Sequence, residues 1–508
     1  MFSNPILRGL NPDPSICRAG EDYYLATSTM TLFPGVPIHH SRDLLNWRLI
    51  GHALTRPSQF CSDESGRAAM IYAPTLRFHE GTFYLITTNV HGRGNFYVTA
   101  QDPAGPWSEP IWVDAGVFDP SLFFDADGRV YYTRRNHFEQ KDVVQAEIDI
   151  ATGKLLAPFR SLGTGMVSDD AEGPHLYRAG DWYYLILAEG GSRFLHMATI
   201  GRAKMPNGPF EPCPHNPIIS QHHAWWHPLK SLGHGDLVEA HDGSWWIVFL
   251  GTRHCSYDAL TVLGRETFLA PVEWQEGWPV VHPQAMRGLQ VDAPTLPIHS
   301  WPETAARDDF DAMDLALEWT FLGVPNENWW DLSARPGFLR LQGTAQSLNE
   351  SSTAPPAFLG RRQSDFWCQI STECEFEPRS EGEEAGISVF QAPKYHYDLF
   401  ISRRGEERVV VLRKCIGDIA HEAAILNVPS GTIRFRIDAA PDHYHFFYAI
   451  FGGEWIEIGS ALTQLLGTEI IGSWSGVLIG IYASGNGQKC GNSADFGWFE
   501  YTEKAPQS

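Results

Sequence analysis

The stretch Gly173-Pro174-His175-Leu176, followed after a short polar turn by Gly180-Asp181-Trp182-Tyr183-Tyr184, decides the fold. A short apolar strand, a turn and an aromatic strand are typical of a β-hairpin. The same combination recurs in four other places in the first 250 residues or so. A spacing of about 50 residues between copies indicates a repeat architecture. The second aromatic residues of the five copies are Tyr24, Tyr84, Tyr132, Tyr184 and Trp246.

The first element of each copy is also similar. The five copies read Asp13-Pro14-Ser15-Ile16, Ala73-Pro74-Thr75-Leu76, Asp119-Pro120-Ser121-Leu122, Gly173-Pro174-His175-Leu176 and Gly235-Asp236-Leu237-Val238. Further β-like stretches follow the hairpins, so each unit has room for four antiparallel strands. Five such units closing on themselves predict a five-bladed β-propeller over residues 1–292. A pair of β-sandwiches would not explain the five-fold spacing.

The pattern changes after Asp292. Three prolines lie between residues 293 and 307, which we interpret as a linker. Short alternating stretches such as Val409-Val410-Val411-Leu412 fill residues 308–508 and predict an antiparallel β-sandwich. No segment has the length and periodicity of a substantial helix. We therefore expect an all-β protein.

The composition narrows the class of partner. The chain has 508 residues and a formal net charge of −22, which argues against nucleic acid or an anionic membrane. No run approaches the roughly 20 apolar residues that span a bilayer. Aromatic residues make up 13% of the chain, and they serve equally well as strand formers or as surfaces that stack on sugar rings.

Eight scattered cysteines without a CxxC pair argue against a zinc site and a disulfide scaffold. Since the N-terminus also has no basic patch and no apolar stretch of signal length, we expect a cytoplasmic protein. A removed secretion signal remains an alternative. The sequence leaves the oligomeric state open, a homo-oligomer included.

In a propeller, the residues at the start of each innermost strand converge on the central channel. Those residues are Asp13, Tyr72, Asp119, Glu172 and His234. Buried carboxylates without partners are unfavourable, so a cluster of three indicates function or metal binding. Cleavage of a glycosidic bond needs two carboxyl groups, one to donate a proton and one to activate water or to attack. Glu172 is the candidate acid and Asp13 the candidate base, while the charge of Asp119 would help to keep Glu172 protonated.

Each residue alone also has a plainer interpretation. An Asp-Pro pair commonly starts a turn, and His234 is equally well a satisfied channel histidine. A lone histidine is not a complete set of metal ligands. Tyr72, Trp225 and Trp226 either stack on sugar or pack between blades. The recurrence in phase is what favours a functional site.

The motifs resemble the three signature segments of glycoside hydrolase family 43. These segments are Asn11-Pro12-Asp13-Pro14-Ser15, Phe118-Asp119-Pro120-Ser121 and Glu172-Gly173-Pro174-His175. Further stretches, such as Phe33-Pro34-Gly35-Val36-Pro37-Ile38 and Gly233-His234-Gly235-Asp236-Leu237, are similar to the β-xylosidase branch of this family. The resemblance covers nearly the whole chain.

The resemblance implies hydrolysis with inversion by a propeller that carries a sandwich domain. Asp13 would be the general base, Glu172 the general acid and Asp119 the residue that tunes the acid's pKa. Arg265 would contact sugar hydroxyls. His234 would lie at the channel centre, where some members hold a structural calcium ion through water. No other cofactor is expected.

The sequence departs from that branch where the sugar would bind. Met30 and Leu32 precede the turn that begins at Phe33, and Tyr72 precedes Ala-Pro, whereas related xylosidases usually carry aromatic residues before this turn and a tryptophan before Ala-Pro. Met30, Phe33 and Tyr72 are therefore the candidate substrate contacts. Methionine is narrower and more adaptable than an aromatic ring, so the pocket would be reshaped.

The sequence thus predicts an exo-acting β-xylosidase that removes xylose from the non-reducing end of xylo-oligosaccharides, with α-L-arabinofuranosidase activity as a side reaction. The first alternative is an α-L-arabinofuranosidase acting on arabinoxylan. The alternative from another class is a propeller that only binds carbohydrate.

Overall fold

The computed structural model describes residues 1–60, 68–136, 139–224, 226–256, 259–292, 294–325, 328–350 and 354–505. Its chain contacts divide it into two compact units. The first unit comprises Met1–Asp258 and Arg265–Trp301, and the second comprises Ala259–Gly264 and Pro302–Ser508. Within the described ranges, no helix has both the length and the apolar character needed to cross a bilayer.

The first unit contains five antiparallel sheets in sequence, which confirms the predicted five-bladed propeller. We number the blades 1 to 5 along the chain, and the first strand of each blade begins near a predicted channel residue. Blade 1 contains Ser15–Ala19, Asp22–Ala26, Gly35–Ser41 and Arg48–Leu54. Blade 2 contains Thr75–His79, Thr82–Asn89, Gly94–Ala100 and Ile111–Asp114.

Blades 3 and 4 each add a fifth short strand that pairs with the third strand. Blade 3 contains Ser121–Phe124, Val130–Arg135, Val143–Asp149, Lys154–Leu155 and Arg160–Gly163. Blade 4 contains Ala171–Ala179, Trp182–Glu189, Met197–Ala203, Glu211–Pro212 and Ile219–Ser220. Blade 5 contains Leu229–Glu239, Trp245–Arg253, Glu266–Gln275 and Trp278–Val281. The recurring aromatic pairs lie in the second strand of each blade, where they pack between sheets.

The N-terminal segment closes the ring by binding to blade 5. The amides of Ile6 and Leu7 donate to the carbonyl of Thr267, and the amide of Thr267 donates back to Leu7. The side-chain nitrogen of Asn4 donates to the backbone carbonyl of Leu269 at 2.9 Å, and its side-chain oxygen accepts from the backbone amide of Leu269 at 3.0 Å. Phe2–Ser3 also pairs with Gln290–Val291. The first residues of the chain therefore bring the blade 1 strand that follows Asp13 next to blade 5.

The buried carboxylate of Asp236 ties the first strands of four blades together. It accepts hydrogen bonds from the hydroxyl of Ser15 in blade 1 and from both terminal nitrogens of Arg77 in blade 2, at 2.6 to 3.2 Å. The hydroxyl of Tyr177 in blade 4 donates to the same carboxylate, and His175 accepts from Arg77 at 3.0 Å. Asp236 is fully buried, and although burial opposes ionisation, the Arg77 charge holds the pKa of this carboxyl far below its usual range.

The second unit contains two large antiparallel sheets, as a β-sandwich requires, which confirms the fold predicted for this region. One sheet contains Arg307–Asp308, Trp330–Asp331, Leu339–Gln342, Cys368–Glu375, Ile433–Ala439, His443–Ile450, Ile456–Leu462 and Ser493–Glu503. The other contains Thr320–Phe321, Ala357–Arg362, Glu384–Ala392, Tyr395–Arg404, Glu407–Ile416, Ile419–Asn427 and Leu478–Ser484. Rings meet between the sheets, with Tyr397 placed 6.3 Å from both Tyr444 and Phe446. The α-helix Thr468–Ile471 has four residues, and Pro57–Gln59, Pro283–Met286 and Thr463–Leu466 are 3₁₀ turns.

We expect Asp236→Asn to destabilise the propeller by about 3–5 kcal/mol, because it leaves the buried charge of Arg77 without its partner. Urea unfolding followed by near-ultraviolet circular dichroism measures this loss. Asp127→Asn is the matched control, since it removes a carboxylate from the exposed ion pair with Arg129. Equal midpoints for the two variants would show that the Asp236 network does not hold the blades.

Candidate active site

Four of the five blades have a residue with left-handed backbone conformation just before or within their first strand. Asp13, Asp119, Gly173 and His234 all have φ between +50° and +56°. This left-handed region is uncommon for residues with a side chain and tends to occur at functional sites. At Gly173 an added Cβ would come within 3.0 Å of the His234 ring, so glycine also permits the close approach of two blades.

These turns bring residues from four blades into one site. Gly173 donates its backbone N–H to the carboxylate of Asp119 at 3.0 Å, which joins blade 4 to blade 3. The His234 ring lies beside Gly173 on one side and places its Nδ1 3.9 Å from Asp13 on the other. Glu172 directly precedes Gly173. The structure therefore gathers Asp13, Asp119, Glu172 and His234, as their phased spacing predicted.

Asp13 is held as an ionised group. It is buried, and its two oxygens accept hydrogen bonds from the two terminal nitrogens of Arg265 at 2.7 and 3.4 Å. The hydroxyl of Ser28 donates to it at 2.5 Å. Burial by itself would raise the pKa of Asp13, but the charges of Arg265 and His234 and the Ser28 hydrogen bond together lower it below its usual value.

Glu172 and Asp119 have the opposite electrostatics. Burial is the largest influence on Glu172, and with the charge of Asp13 it raises the pKa of Glu172 to about 7, against the lowering influence of Arg135. Burial and the charge of Glu172 likewise raise the pKa of Asp119 well above its usual value. The surroundings therefore favour the ionised form of Asp13 and the protonated forms of Glu172 and Asp119.

The predicted sugar contacts occupy blades 1 and 2. Tyr72 is half-buried and packs edge-on against Phe118, with the ring centroids 5.8 Å apart. Burial raises the pKa of its hydroxyl, and the nearby charge of Asp119 raises it further. Met30 is also half-buried and pairs through its backbone with Ile71, the neighbour of Tyr72. Phe33 is buried and packs edge-on against Phe60, 5.2 Å away.

Two further predicted residues have different outcomes. The nitrogen Nε of Arg265 is buried and makes no hydrogen bond among the described residues, so Arg265 keeps a donor beyond those bound to Asp13. Trp226 is 56% exposed. Trp225 lies outside the described residues.

The sequence reasoning missed a second buried arginine at the site. Arg135, which ends the second strand of blade 3, places Nη1 3.6 Å from the Glu172 carboxylate. Its Nη2 donates to Asp170 at 2.7 Å. The available signal was the pair Arg134-Arg135 at the end of an otherwise apolar strand, since buried arginines usually have a partner.

The described side chains of the site do not form a cage of direct calcium ligands, and a calcium ion held through water stays a prediction. Calcium prefers six to eight oxygen ligands, whereas His175, His196 and His234 offer ring nitrogens, and Asp13 is already occupied by Arg265 and Ser28. Among the described residues, the one group of three side chains with metal-ligating spacing is His396, Asp398 and Cys415 in the second unit. There Asp398 already binds Arg413 and Ser388. We derive no step that depends on a metal ion.

The geometry supports acid–base chemistry on an uncharged substrate. An ionised carboxylate and a protonated carboxyl from different blades meet at one site, which is the arrangement that separates base and acid roles. The arginine that holds Asp13 also stabilises its charge. Half-buried Tyr72 lies near the three carboxyl groups, and half-buried Met30 pairs through its backbone with Ile71, the neighbour of Tyr72.

Comparisons with known proteins agree with this geometry. Residues 2–279 match the family described as glycosyl hydrolases family 43, and residues 307–502 match the β-xylosidase C-terminal concanavalin A-like domain. The chain is 44% identical over 509 residues to the non-reducing end α-L-arabinofuranosidase BoGH43B of Bacteroides ovatus, covering 98% of this chain and 94% of that protein.

Solved structures extend the similarity to the whole fold. A Bacteroides ovatus structure described as xyloglucan PUL GH43B has a TM-score of 0.94 and 43% identity, covering 99% of this chain and all of that one. A xylan β-1,4-xylosidase from Bacillus halodurans C-125 has a TM-score of 0.93 and 34% identity, again over 99% of this chain and all of that one. The chain therefore belongs to glycoside hydrolase family 43 and is a glycoside hydrolase.

Proposed function

We propose that this enzyme is an inverting exo-glycosidase that releases a terminal pentose from a short oligosaccharide. The observation that carries the proposal is that two carboxyl groups at one site have pKa values shifted in opposite directions. Arg265 keeps Asp13 ionised, whereas burial raises the pKa of Glu172 to about 7. An ionised carboxylate and a protonated acid are what glycoside hydrolysis requires of a resting enzyme, and the resemblance to family 43 supports inversion as its stereochemistry.

In the proposed reaction, Glu172 donates its proton to the glycosidic oxygen as the bond from that oxygen to the anomeric carbon breaks. A water molecule attacks the anomeric carbon from the opposite side and gives its proton to Asp13. The products are the free sugar with inverted configuration and the alcohol of the leaving group. Asp119 is proposed to tune the acid, as a second buried carboxyl whose own pKa is raised by burial and by the charge of Glu172.

The terminal sugar is proposed to bind between Arg265 and the wall formed by Met30 and Tyr72. The buried Nε of Arg265 supports a contact with a sugar hydroxyl, since a buried donor is normally satisfied. We propose a β-linked xylosyl residue as the main substrate, with α-L-arabinofuranosides as a side activity. The similarity to the Bacillus halodurans xylosidase over the whole chain supports this choice.

A second candidate is an enzyme that acts mainly on α-L-arabinofuranosides. The relative that is 44% identical has the name of an α-L-arabinofuranosidase. The wall provided by Met30 is flexible and narrow compared with an aromatic ring, and thioether side chains adapt readily to a different ring shape. Both candidates share the same acid, base and stereochemistry.

Assays with aryl β-D-xylopyranoside and aryl α-L-arabinofuranoside distinguish the two candidates. We expect a higher kcat/KM for the xyloside. We also expect α-xylose to be the first anomer released, as measured by proton NMR of the anomeric position. A higher value for the furanoside selects the second candidate. Hydrolysis of neither substrate, or first release of the retained anomer, contradicts the proposed function.

The pH dependence of kcat/KM should be bell-shaped. Glu172 acts in its protonated form, so the rate should fall as the pH rises through about 7, where this carboxyl loses its proton. Asp13 acts in its ionised form and has a lowered pKa, so the acidic limb should lie below the usual range of an aspartate. A rate that rises through pH 7 would contradict the assignment of Glu172 as the acid.

Glu172→Gln should reduce kcat by roughly 10²–10⁴ on an alkyl or oligosaccharide substrate, because the leaving oxygen no longer receives a proton. The loss should be much smaller with an aryl leaving group that departs without protonation. Glu239→Gln is the matched control, since it changes an exposed glutamate at the end of a blade 5 strand. Equal losses on both substrates would argue against a role as proton donor.

A further inference from the structure

Arg135 and its neighbour Arg134 end the same strand but serve different surroundings. Successive side chains of a strand point to opposite faces. Arg134 turns to Asp114, with Nε donating at 2.8 Å, and its guanidinium lies 4.3 Å from the Phe159 ring. Arg135 turns instead to the segment that carries Glu172. Both arginines are buried, so they form a natural comparison pair.

Arg135 is fixed on three sides. Its Nη2 donates to Asp170 at 2.7 Å, and its Nη1 donates to the carbonyl of Ala171 at 3.1 Å. Its guanidinium lies 5.3 Å from the ring of Phe118, the residue before Asp119. These contacts leave Nη1 3.6 Å from the Glu172 carboxylate, beyond hydrogen-bond distance but within the range of an ion pair.

We propose that Arg135 is a positioning residue for Glu172 and that Asp170 limits how strongly its charge acts on that carboxyl. This inference rests on the proposed role of Glu172 as the general acid. It adds that the two residues control when Glu172 releases its proton. The guanidinium is close enough to stabilise the carboxylate that forms when the proton leaves.

The distances explain why the acid keeps its proton beforehand. Arg135 is 0.9 Å closer to Asp170 than to Glu172, since the two separations are 2.7 and 3.6 Å. Part of its charge is therefore already compensated in the resting enzyme. Glu172 feels both residues, since Arg135 lowers its pKa and Asp170 raises it. Removing the charge of Arg135 should therefore raise the pKa of Glu172, and removing the charge of Asp170 should lower it.

Other charged groups also face Glu172 and must stay constant in a test. Lys141 approaches Asp170 from blade 3, with Nζ 3.9 Å from its carboxylate. The groups that face Glu172 from the remaining elements are Asp13 and Tyr72 from blades 1 and 2, Asp119 from blade 3, and His234 and Arg265 from blade 5. None of them is changed in the variants below.

The test compares the basic limb of the pH profile of kcat/KM in four variants of the full chain. Arg135→Met should move this limb up by about one pH unit, because a nearby cation is lost. Asp170→Asn should move it down, because the charge of Arg135 is then uncompensated. Arg135→Lys should restore most of the wild-type position. Arg134→Met should leave the limb in place.

Opposite shifts are the decisive result, because a merely structural role would lower activity without moving the limb in two directions. Shifts in the same direction, no shift, or the same shift in Arg134→Met would overturn the proposal. Asp170 is one-third exposed, so its variant should fold even if Arg135→Met does not. A ¹³C NMR titration of the Glu172 carboxyl, assigned by its loss in Glu172→Gln, reads the same shifts without turnover. Failure of the proposed function would appear separately, as an absence of hydrolysis by the wild type.

Discussion

The ion pair between Arg77 and Asp236 is the constraint on which the site depends. It joins first strands of different blades at a point just after the residues that matter chemically. Ser15, which donates to Asp236, follows Asp13 by two positions, and Asp236 itself follows His234 by two. A buried ion pair of this kind is costly to desolvate, so its value lies in geometry as much as in stability. By fixing the strands beneath the channel mouth, it fixes where the carboxyl groups above them meet.

The site above this network divides its charges unequally. Arg265 binds Asp13 directly at 2.7 Å, whereas Arg135 reaches Glu172 only at 3.6 Å. Asp13 is thereby stabilised as an anion, whereas burial has the largest effect on the pKa of Glu172 and raises it. Asp119 accepts one backbone hydrogen bond, which is too little to offset its burial and its like-charged neighbour. The proposed base and the proposed acid therefore differ in their surroundings and not in their intrinsic chemistry.

The sequence predicted much of this and missed a defined part. The spacing of the repeats and the alternation of apolar residues were enough to predict the five blades, the all-β sandwich and the meeting of Asp13, Asp119 and Glu172. These features depend on local patterns that recur along the chain. Charged partners that come from other strands follow no such repeat, so the sequence pattern does not predict them. Arg135 and Glu172 are 37 positions apart in the chain, and no cation stands next to that glutamate in the sequence. The left-handed turn at Asp13 and Asp119 was equally hidden, since an Asp-Pro pair commonly signals an ordinary turn.

The same distinction explains why the proposed acid would need a nearby cation at the moment it reacts. In the proposed reaction, donating a proton from Glu172 creates a negative charge in a buried site that already contains the ionised Asp13. Without a cation, like-charge repulsion would oppose that step as strongly as it keeps the proton in place beforehand. In the proposed mechanism, an arginine held at ion-pair distance by Asp170 resolves this conflict, because its attraction becomes strong only when the carboxylate forms. The surroundings that raise the acid's pKa and the arginine that accommodates its conjugate base therefore have to be present together.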